Sequence, residues 1–379
     1  MSEIAPEAWE ACANPRAGSF NPFISHAFLH TLEQSGCVAP RTGWLPQHLV
    51  LEDATGATLG AMPLYLKSHS RGEYVFDHGW ADAYERAGGR YYPKLQCCVP
   101  FTPVTGARLL VRDGSDREAV ESALLNGAVE LVRLHKASSL HITFLREPEW
   151  RRHGDDRILQ RTDQQFHWEN KGYRSFDEFL DSLASRKRKV IRKERREAVA
   201  AGVTIEHLRG AEIRERHWDA FFAFYQDTGS RKWGSPYLNR KFFSLIGEAM
   251  PERVLLMICK RAGKMIAGAL NFVGDDALYG RYWGAIEHHP LLHFETCYYQ
   301  AIDYAIANGI ARVEAGAQGE HKLARGYLPV TTYSLHYLAH SGLRRAVAAF
   351  LDRERCAVSE EVRALTDLGP FKKSGTDAS

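Results

Sequence analysis

The feature that most constrains the fold is an order of predicted elements that recurs about two hundred residues along the chain. The first copy predicts a hairpin over 48–67, a strand over 73–80, a helix over 117–136 and a strand over 139–145. The second copy predicts a hairpin over 254–273, a strand over 277–286, a helix over 295–310 and a strand over 312–317. Two copies of one α/β unit with mixed sheets explain this repeat, and two unrelated α/β domains with similar patterns are the alternative.

The length also indicates two domains, because 379 residues exceed what a single core usually accommodates. We predict domains over 1–165 and 166–330, and a C-terminal segment, 331–379, that can pack back on the first domain. The second domain begins with a basic helix or helix pair over 176–201, which Ser175 caps and Gly202 ends.

Cysteine usage and hydropathy indicate the cell compartment. The chain has seven cysteines and no C-x-x-C pair, which argues against a disulfide framework or a zinc knuckle and indicates a reducing environment. The N-terminal residues include acidic side chains and no long apolar run, so no signal peptide is expected. No window approaches eighteen uninterrupted apolar residues, so we expect no transmembrane segment and a cytoplasmic protein.

The stretch SRKRKVIRKERR, residues 185–196, holds eight Lys or Arg and one Glu in a chain whose net charge is +3. Acidic residues are too few within it for pairing at i,i+4 to neutralise the cations. Three interpretations stay open: a solvated helix face, a contact with the phosphates of a tRNA or nucleotide, and a peripheral membrane contact. The candidate phosphate- or tRNA-binding residues are Arg186, Lys187, Arg188, Lys189, Arg192 and Lys193.

Four motifs carry a resemblance to a known family: SRKRKVIRKERR, GRYWGA, LHFETCYYQAIDYAI and EAGAQGEHKLARGYLP. Over most of its length the chain resembles the Fem-type, peptidoglycan-biosynthesis-related (FemAB-like) branch of the GNAT N-acyltransferase superfamily, and within it a bacterial group of predicted N-acyltransferases. The resemblance implies two tandem GNAT-like domains and transfer of an aminoacyl group from a charged tRNA to an amine of a peptidoglycan precursor. It also implies a functional Lys shortly before a Gly, which Lys322 and Gly326 match in part. The GNAT pyrophosphate loop R/Q-x-x-G-x-G/A has no match, so the sequence does not support acetyl-CoA as the donor.

Amide formation needs a base for the incoming amine, a group that stabilises the oxyanion, and cations for the phosphates of the donor. The loop after the strand 312–317 offers the densest set of such groups. Lys322 can bind phosphate or stabilise the oxyanion, and Glu320 or His321 can act as the base. The alternative is that Lys322 is an ordinary surface lysine and that Glu320 and His321 only make the loop polar. Glu295 can be catalytic or cap a helix, and Glu314 can be catalytic or the structural partner of an Arg. The candidate catalytic residues are therefore Lys322, Glu320, His321, Glu295 and Glu314.

Candidate substrate-binding residues lie in both copies of the repeat. Arg281 and Trp283 alternate onto one face of the strand 277–286, where an Arg beside a ring can hold a carboxylate or phosphate; an edge-strand Arg is the alternative. In the first copy the strand 73–80 would present an acceptor-recognition edge. The full set is Arg281, Trp283, Tyr299, Gln318, Asp77, His78 and Trp80.

The spacing of His293 and Glu295 suits a metal, but no third ligand is evident, so no metal is predicted. The predicted function is an N-acyltransferase that forms an amide on a small-molecule or peptide amine. Its donor is an aminoacyl-tRNA or an acyl-CoA, and no other cofactor is expected. The rival hypothesis is a non-catalytic GNAT-like module that binds RNA or an anionic lipid or phosphate ligand, and a third is an acetyl-CoA enzyme with a degenerate loop.

Overall fold

A computed structural model of the protein describes residues 1–16, 18–232, 236–316 and 319–372, and at 230–232 and 320 it describes only the backbone. The helices, in chain order, are α1 (Pro6–Ala13), α2 (His26–Gln34), α3 (His78–Arg86), α4 (Arg117–Leu134), α5 (Glu147–His153), α6 (Phe176–Ser182), α7 (Ser185–Ala198), α8 (Glu215–Lys232), α9 (Arg240–Ala249), α10 (Leu292–Phe294), α11 (Gln300–Ala307) and α12 (Ser341–Asp367). The strands are β1 (Trp44–Pro46), β2 (Leu49–Glu52), β3 (Thr58–Met62), β4 (Tyr65–Lys67), β5 (Lys94–Cys97), β6 (Leu110–Val111), β7 (Ser139–Leu145), β8 (Ile158–Glu169), β9 (Val203–Arg209), β10 (Val254–Arg261), β11 (Lys264–Val273), β12 (Ala277–Ala285), β13 (Arg312–Glu314) and β14 (Leu328–Leu338). A π-helical turn, Glu295–Tyr299, joins α10 to α11, and a 3₁₀ turn, Glu320–Arg325, precedes β14. The predicted α/β class is confirmed.

The chain forms two compact units, of which unit 1 comprises 1–164, 237–249 and 331–360. Strands β1, β4, β5, β7 and β14 are neighbours in that order, and β2, β3 and β6 form a small antiparallel sheet. Strand β5 is parallel to β7, so a crossover must join them, and α4 lies in that connection. The apolar face of α4, with Leu124 and Val132, packs with Leu95 and Leu140 of the two parallel strands.

Unit 2 comprises 165–236, 250–330 and the chain from Glu361. Its strands β8, β13, β12, β11, β10 and β9 are neighbours in that order. Strand β12 is parallel to β13, and the helical segment 292–307 lies in their connection. Each unit therefore contains a parallel pair with a helical crossover, although the first strand of the pair in unit 1 is β5 and not the predicted strand over 73–80. The core of unit 2 includes Trp168, Phe179, Ile302 and Val313.

Neither unit is a continuous stretch of chain. Helix α9 belongs to unit 1, where the Phe242 ring contacts the Phe28 ring of α2 edge to face at 6.1 Å. The C-terminal segment 331–379, predicted to pack on the first domain, divides after residue 360. Beyond that point Phe371 forms a β-bridge with Leu183 in unit 2.

The predicted strand over 73–80 is wrong. Tyr74 has a φ of 63°, which no strand accommodates, and α3 begins at His78. The side chains of Glu73 and Asp77 turn inward instead of alternating, because Lys94 of β5 donates to both, at 2.6 and 2.5 Å. In the described ranges, no helix is both long enough and apolar enough to cross a membrane.

Candidate active site

The candidate site lies in unit 2, where β12, the helical segment 292–299 and the turn after β13 line a small cavity. This cavity, which we call cavity A, has a volume of about 80 Å³, and Arg281, Trp283, His293, Cys297, Tyr298 and Ala315 are among its lining residues. The parallel pairing of β12 with β13 sets Tyr279 opposite Glu314. Arg281 follows Tyr279 by two residues, and Ala315 follows Glu314 by one. Side chains of the site therefore emerge just past the stretch over which β12 and β13 pair.

Lys322 is the most unusual group of the site, since it is only 2% exposed. Its Nζ donates to the carbonyl of Gly316 at 2.9 Å. Burial, and then the charge of Arg281, lower the pKa of Lys322 to about 7. Near neutral pH a large fraction of the molecules therefore carries the neutral amine, which can accept a proton.

Glu314 forms a buried ion pair with two arginines. Its Oε2 lies 3.2 Å from Nη2 of Arg281, and its Oε1 lies 3.1 Å from Nε of Arg312. Burial alone would raise the pKa of Glu314, but His167, Arg281 and Arg312 outweigh it and hold the pKa below its usual value. Glu314 is therefore ionised and paired with these arginines. This is the structural role that the sequence analysis gave as the alternative to a catalytic one. Arg281 is not an edge-strand arginine, because only 2% of its side chain is exposed.

His321 lies beside an aromatic group. Its Nε2 is 2.9 Å from the hydroxyl of Tyr298, and its ring centroid is 5.5 Å from that of Phe294. Burial raises the pKa of the Tyr298 hydroxyl, so this group stays protonated at neutral pH. Of the remaining loop candidates, Gln318 and the side chain of Glu320 lie outside the described residues.

Glu295 and Tyr299 bind α7 instead of lining cavity A. Glu295 is buried in the π-helical turn and accepts hydrogen bonds from Nη2 and Nε of Arg195, at 3.0 and 3.1 Å. The hydroxyl of Tyr299 donates to Glu194, which also accepts from Nη2 of Arg325 at 2.9 Å. These contacts give both residues a structural function, and a catalytic role for Glu295 stays a prediction.

The predicted basic segment forms a helix pair, α6 and α7. Half of its cations have carboxylate partners: Arg188 pairs with Asp181, Arg192 with Asp177, Lys193 with Glu197, and Arg195 with Glu295 and Asp303. Within the described part of the chain, Arg186, Lys187, Lys189 and Arg196 form no ion pair. Four of the five carboxylate partners come from α6 and from 295–303, which counting charges at i,i+4 could not reveal.

A second concave surface, the basic pocket, lies between α7 and the turn before β14. It has a volume of about 330 Å³ and is lined by Arg186, Lys187, Val190, Glu194, Tyr299 and Arg325, among others. Arg325 is held in place at its wall, because Nη1 donates to the carbonyl of His321 at 2.6 Å and the guanidinium lies 3.6 Å from the Phe294 ring centroid. Arg186 and Lys187, which have no carboxylate partner among the described residues, therefore line a pocket whose wall also carries Arg325, paired with Glu194.

The candidates in unit 1 do not form the predicted recognition edge. Asp77 is buried, binds Lys94 and accepts a hydrogen bond from the hydroxyl of Tyr91 at 2.7 Å. Trp80 is buried under Arg161, whose guanidinium lies 5.1 Å from the indole centroid, whereas His78 is exposed. A role of these residues in acceptor recognition stays a prediction.

Sequence reasoning missed several residues of the site. Cys297, Tyr298 and His293 line cavity A, and Arg325 fixes the basic pocket. All four lie inside the quoted motifs, but sequence reasoning considered His293 only as a metal ligand and gave no role to Cys297 or Arg325. In the described residues, no group of three His, Cys, Asp or Glu side chains could hold a metal ion.

Comparisons with known proteins place the chain in a family. A family model described as FemAB-like, peptidoglycan biosynthesis/recognition, matches residues 1–373, whereas no curated protein matches the sequence. The solved structure of FemX aligns with a TM-score of 0.54 and 14% identity, over 91% of this chain and 98% of that one. L-PGS from Bacillus licheniformis aligns with a TM-score of 0.51 and 9% identity, over 91% and 96%. The C-terminal domain of a putative lysylphosphatidylglycerol synthetase from Agrobacterium fabrum aligns with a TM-score of 0.50 and 9% identity, over 86% and 96%. At these identities the structures show a common fold, and the predicted Fem-type fold is confirmed.

Proposed function

The chain belongs to the FemAB-like family of peptidoglycan biosynthesis and recognition, and from that premise we propose that it transfers an acyl group to an amine. The bond formed is an amide, and the acceptor is an amine of a peptidoglycan precursor or a related molecule. Two donors fit the proposal, an aminoacyl ester of tRNA and an acyl thioester of CoA. Family membership does not favour the non-catalytic alternative.

The observation that carries the proposal is a buried lysine, with a pKa of about 7, whose charge interacts with Arg281 and Cys297 of the lining of cavity A. In the proposed step the acceptor nitrogen attacks the acyl carbonyl, and Lys322 takes a proton from that nitrogen. The bond from the carbonyl to the donor oxygen or sulfur then breaks, and the proton on Lys322 passes to the leaving atom. A base with a pKa near the working pH is suited to both transfers. In the proposed step Arg281, which lines the cavity, stabilises the oxyanion.

The basic pocket supports a phosphate-bearing donor. Arg186 and Lys187 have no carboxylate partner among the described residues, so an arriving phosphate displaces no ion pair. Both proposed donors carry phosphate groups, and a contact of this kind positions a ligand without reading its sequence. The name of one structural relative refers to a lysylated lipid, so an amine-bearing headgroup at a membrane surface stays within the proposal as an acceptor.

A turnover assay with a matched pair of variants tests this proposal. Charged tRNAs or acyl-CoAs are incubated with a panel of amines, and amide products are measured by mass spectrometry. Lys322→Gln should lose turnover, whereas Lys264→Gln, at the exposed start of β11 in the same unit, should keep it. In the wild type, kcat/KM should rise with pH through about 7, where Lys322 loses its proton.

Equal rates of the two folded variants would reject Lys322 as the base. Binding of tRNA that weakens with salt, without turnover for any donor, would instead support the non-catalytic module.

A further inference from the structure

Two rings, which we call the wall, line both cavity A and a much larger concave surface. The larger cavity, cavity B, has a volume of about 360 Å³ and is lined by Ala285, Leu291, Leu292 and Phe294, among others. Trp283 and His293 line both cavities. Two cavities that have the same two side chains in their linings adjoin each other at those side chains.

Contacts with their neighbours hold both rings in place. The Trp283 and His293 rings meet edge to face, with centroids 5.4 Å apart and planes at 68°. Trp283 lies on β12 opposite Ala269 of β11, which fixes the side of the sheet on which the indole lies. The His293 ring also contacts the Tyr298 ring at 5.4 Å. The wall is therefore part of the packed structure and not a loose side chain.

The two cavities differ in the size of the group that each can hold. An apolar cavity of about 150 Å³ holds a benzene molecule, which has six heavy atoms. By that scale cavity A, at about 80 Å³, has room for roughly three heavy atoms, whereas cavity B could hold a chain of eight carbons or more.

We infer that Trp283 and His293 determine acyl-group size: they limit the transferred group to about three heavy atoms beyond the reacting carbonyl, and their removal opens cavity A into cavity B. The inference rests on the proposed function, since it takes cavity A as the acyl site beside Lys322. The preferred donors are then those with short acyl groups, such as acetyl or a small aminoacyl group. Cavity B has a mixed lining, in which Thr228, Glu287, His288 and His289 accompany the apolar residues, so the groups admitted by a breached wall are longer chains, with or without a polar end.

The test compares acyl donors of two, four, six and eight carbons. The variants are Trp283→Ala and, as a milder change, Trp283→Phe, with Ile286→Ala as a control at an exposed position three residues along the chain. The ratio of kcat/KM for the hexanoyl donor to that for the acetyl donor should rise about tenfold or more in Trp283→Ala, because a pocket discriminates chain length by about this factor for each methylene. Trp283→Phe should show a smaller rise, and Ile286→Ala should keep the wild-type ratio.

Ligand-observed NMR with hexanamide gives a readout that does not depend on turnover. Trp283→Ala should bind hexanamide, and the wild type should not. An unchanged donor ratio, or binding of hexanamide by the wild type as strong as by the variant, would overturn the inference. If the wild type transfers no group from any donor, the proposed function fails, while the hexanamide comparison still decides whether the wall separates the cavities. If Trp283→Ala does not fold, His293→Ala removes the other half of the wall and has the same expected outcomes.

Discussion

Replacing Lys322 with methionine should change how the stability of the protein depends on pH. The pKa of Lys322 falls from its usual 10.5 to about 7 in the folded protein. Between these two values the unfolded chain binds a proton that the folded chain does not, so the free energy of unfolding rises with pH. Below pH 7 both states are protonated, and the folded state carries the full cost of a buried ammonium group. Methionine fills a similar volume and carries no charge, so its variant lacks this dependence.

The expected size follows from the shift in pKa. One pKa unit corresponds to about 1.4 kcal/mol, and this is also the gain in stability per pH unit where one extra proton is bound by the unfolded state. Relative to Lys322→Met, the wild type should gain about 2.7 kcal/mol of unfolding free energy between roughly pH 6 and pH 9, most of it above pH 7. Other groups that titrate in this range are common to both proteins and cancel in the difference.

Urea denaturation followed by tryptophan fluorescence, at one-unit steps of pH, measures this difference. Lys264→Met is the matched control, because Lys264 is exposed and its replacement should leave the pH dependence of the wild type unchanged. Parallel stability curves for the wild type and Lys322→Met would refute the reasoning. They would mean that the folded protein keeps the Lys322 ammonium protonated to high pH, and that this group cannot serve as a base near pH 7.

Two further predictions concern the ion pairs. Glu314→Ala should destabilise the protein by about 3–5 kcal/mol, because it removes the carboxylate that pairs with the buried Arg281, whereas Arg312 keeps Asp276. A loss below about 1 kcal/mol in urea denaturation would contradict the role given to Glu314. Arg186→Gln should lower the slope of log K against log salt for tRNA binding by about one. Arg192→Gln should change the slope less, because it removes a cation already paired with Asp177. Equal slopes for the two variants in a filter-binding assay would argue against phosphate contact at the basic pocket.

Most of the fold could be predicted because its elements have local signals. The hairpin of β10 and β11 and the helix α4 follow alternation and helical period within single stretches of chain. The region 73–80 could not be predicted in this way, since its conformation depends on Lys94, which lies 17 residues beyond Asp77 in the sequence. A buried partner at that distance overrides the local preference for a strand.

The candidate site could be predicted only in part, and for a similar reason. Lys322 and Glu314 lie beyond or at the end of a strand, where functional side chains are expected, and Arg281 lies within β12 beside the end of β13. The hydrogen bond between Arg325 and Glu194 joins residues 131 positions apart, and no pattern in the sequence indicates it. The pKa of Lys322 depends on burial, which becomes visible only when the turn is placed against the core.

The path of the chain through unit 1 has a consequence for synthesis on the ribosome. Multidomain proteins generally complete their N-terminal domain while the rest is still being translated. Here the N-terminal residues cannot complete unit 1 until α9, with its buried Phe242, Phe243 and Ile246, and then the stretch 331–360 have been synthesised. Nascent unit 1 therefore exposes its unfinished apolar surfaces until residue 360 has left the ribosome. By then the segments 165–236 and 250–330 of unit 2 have already been translated.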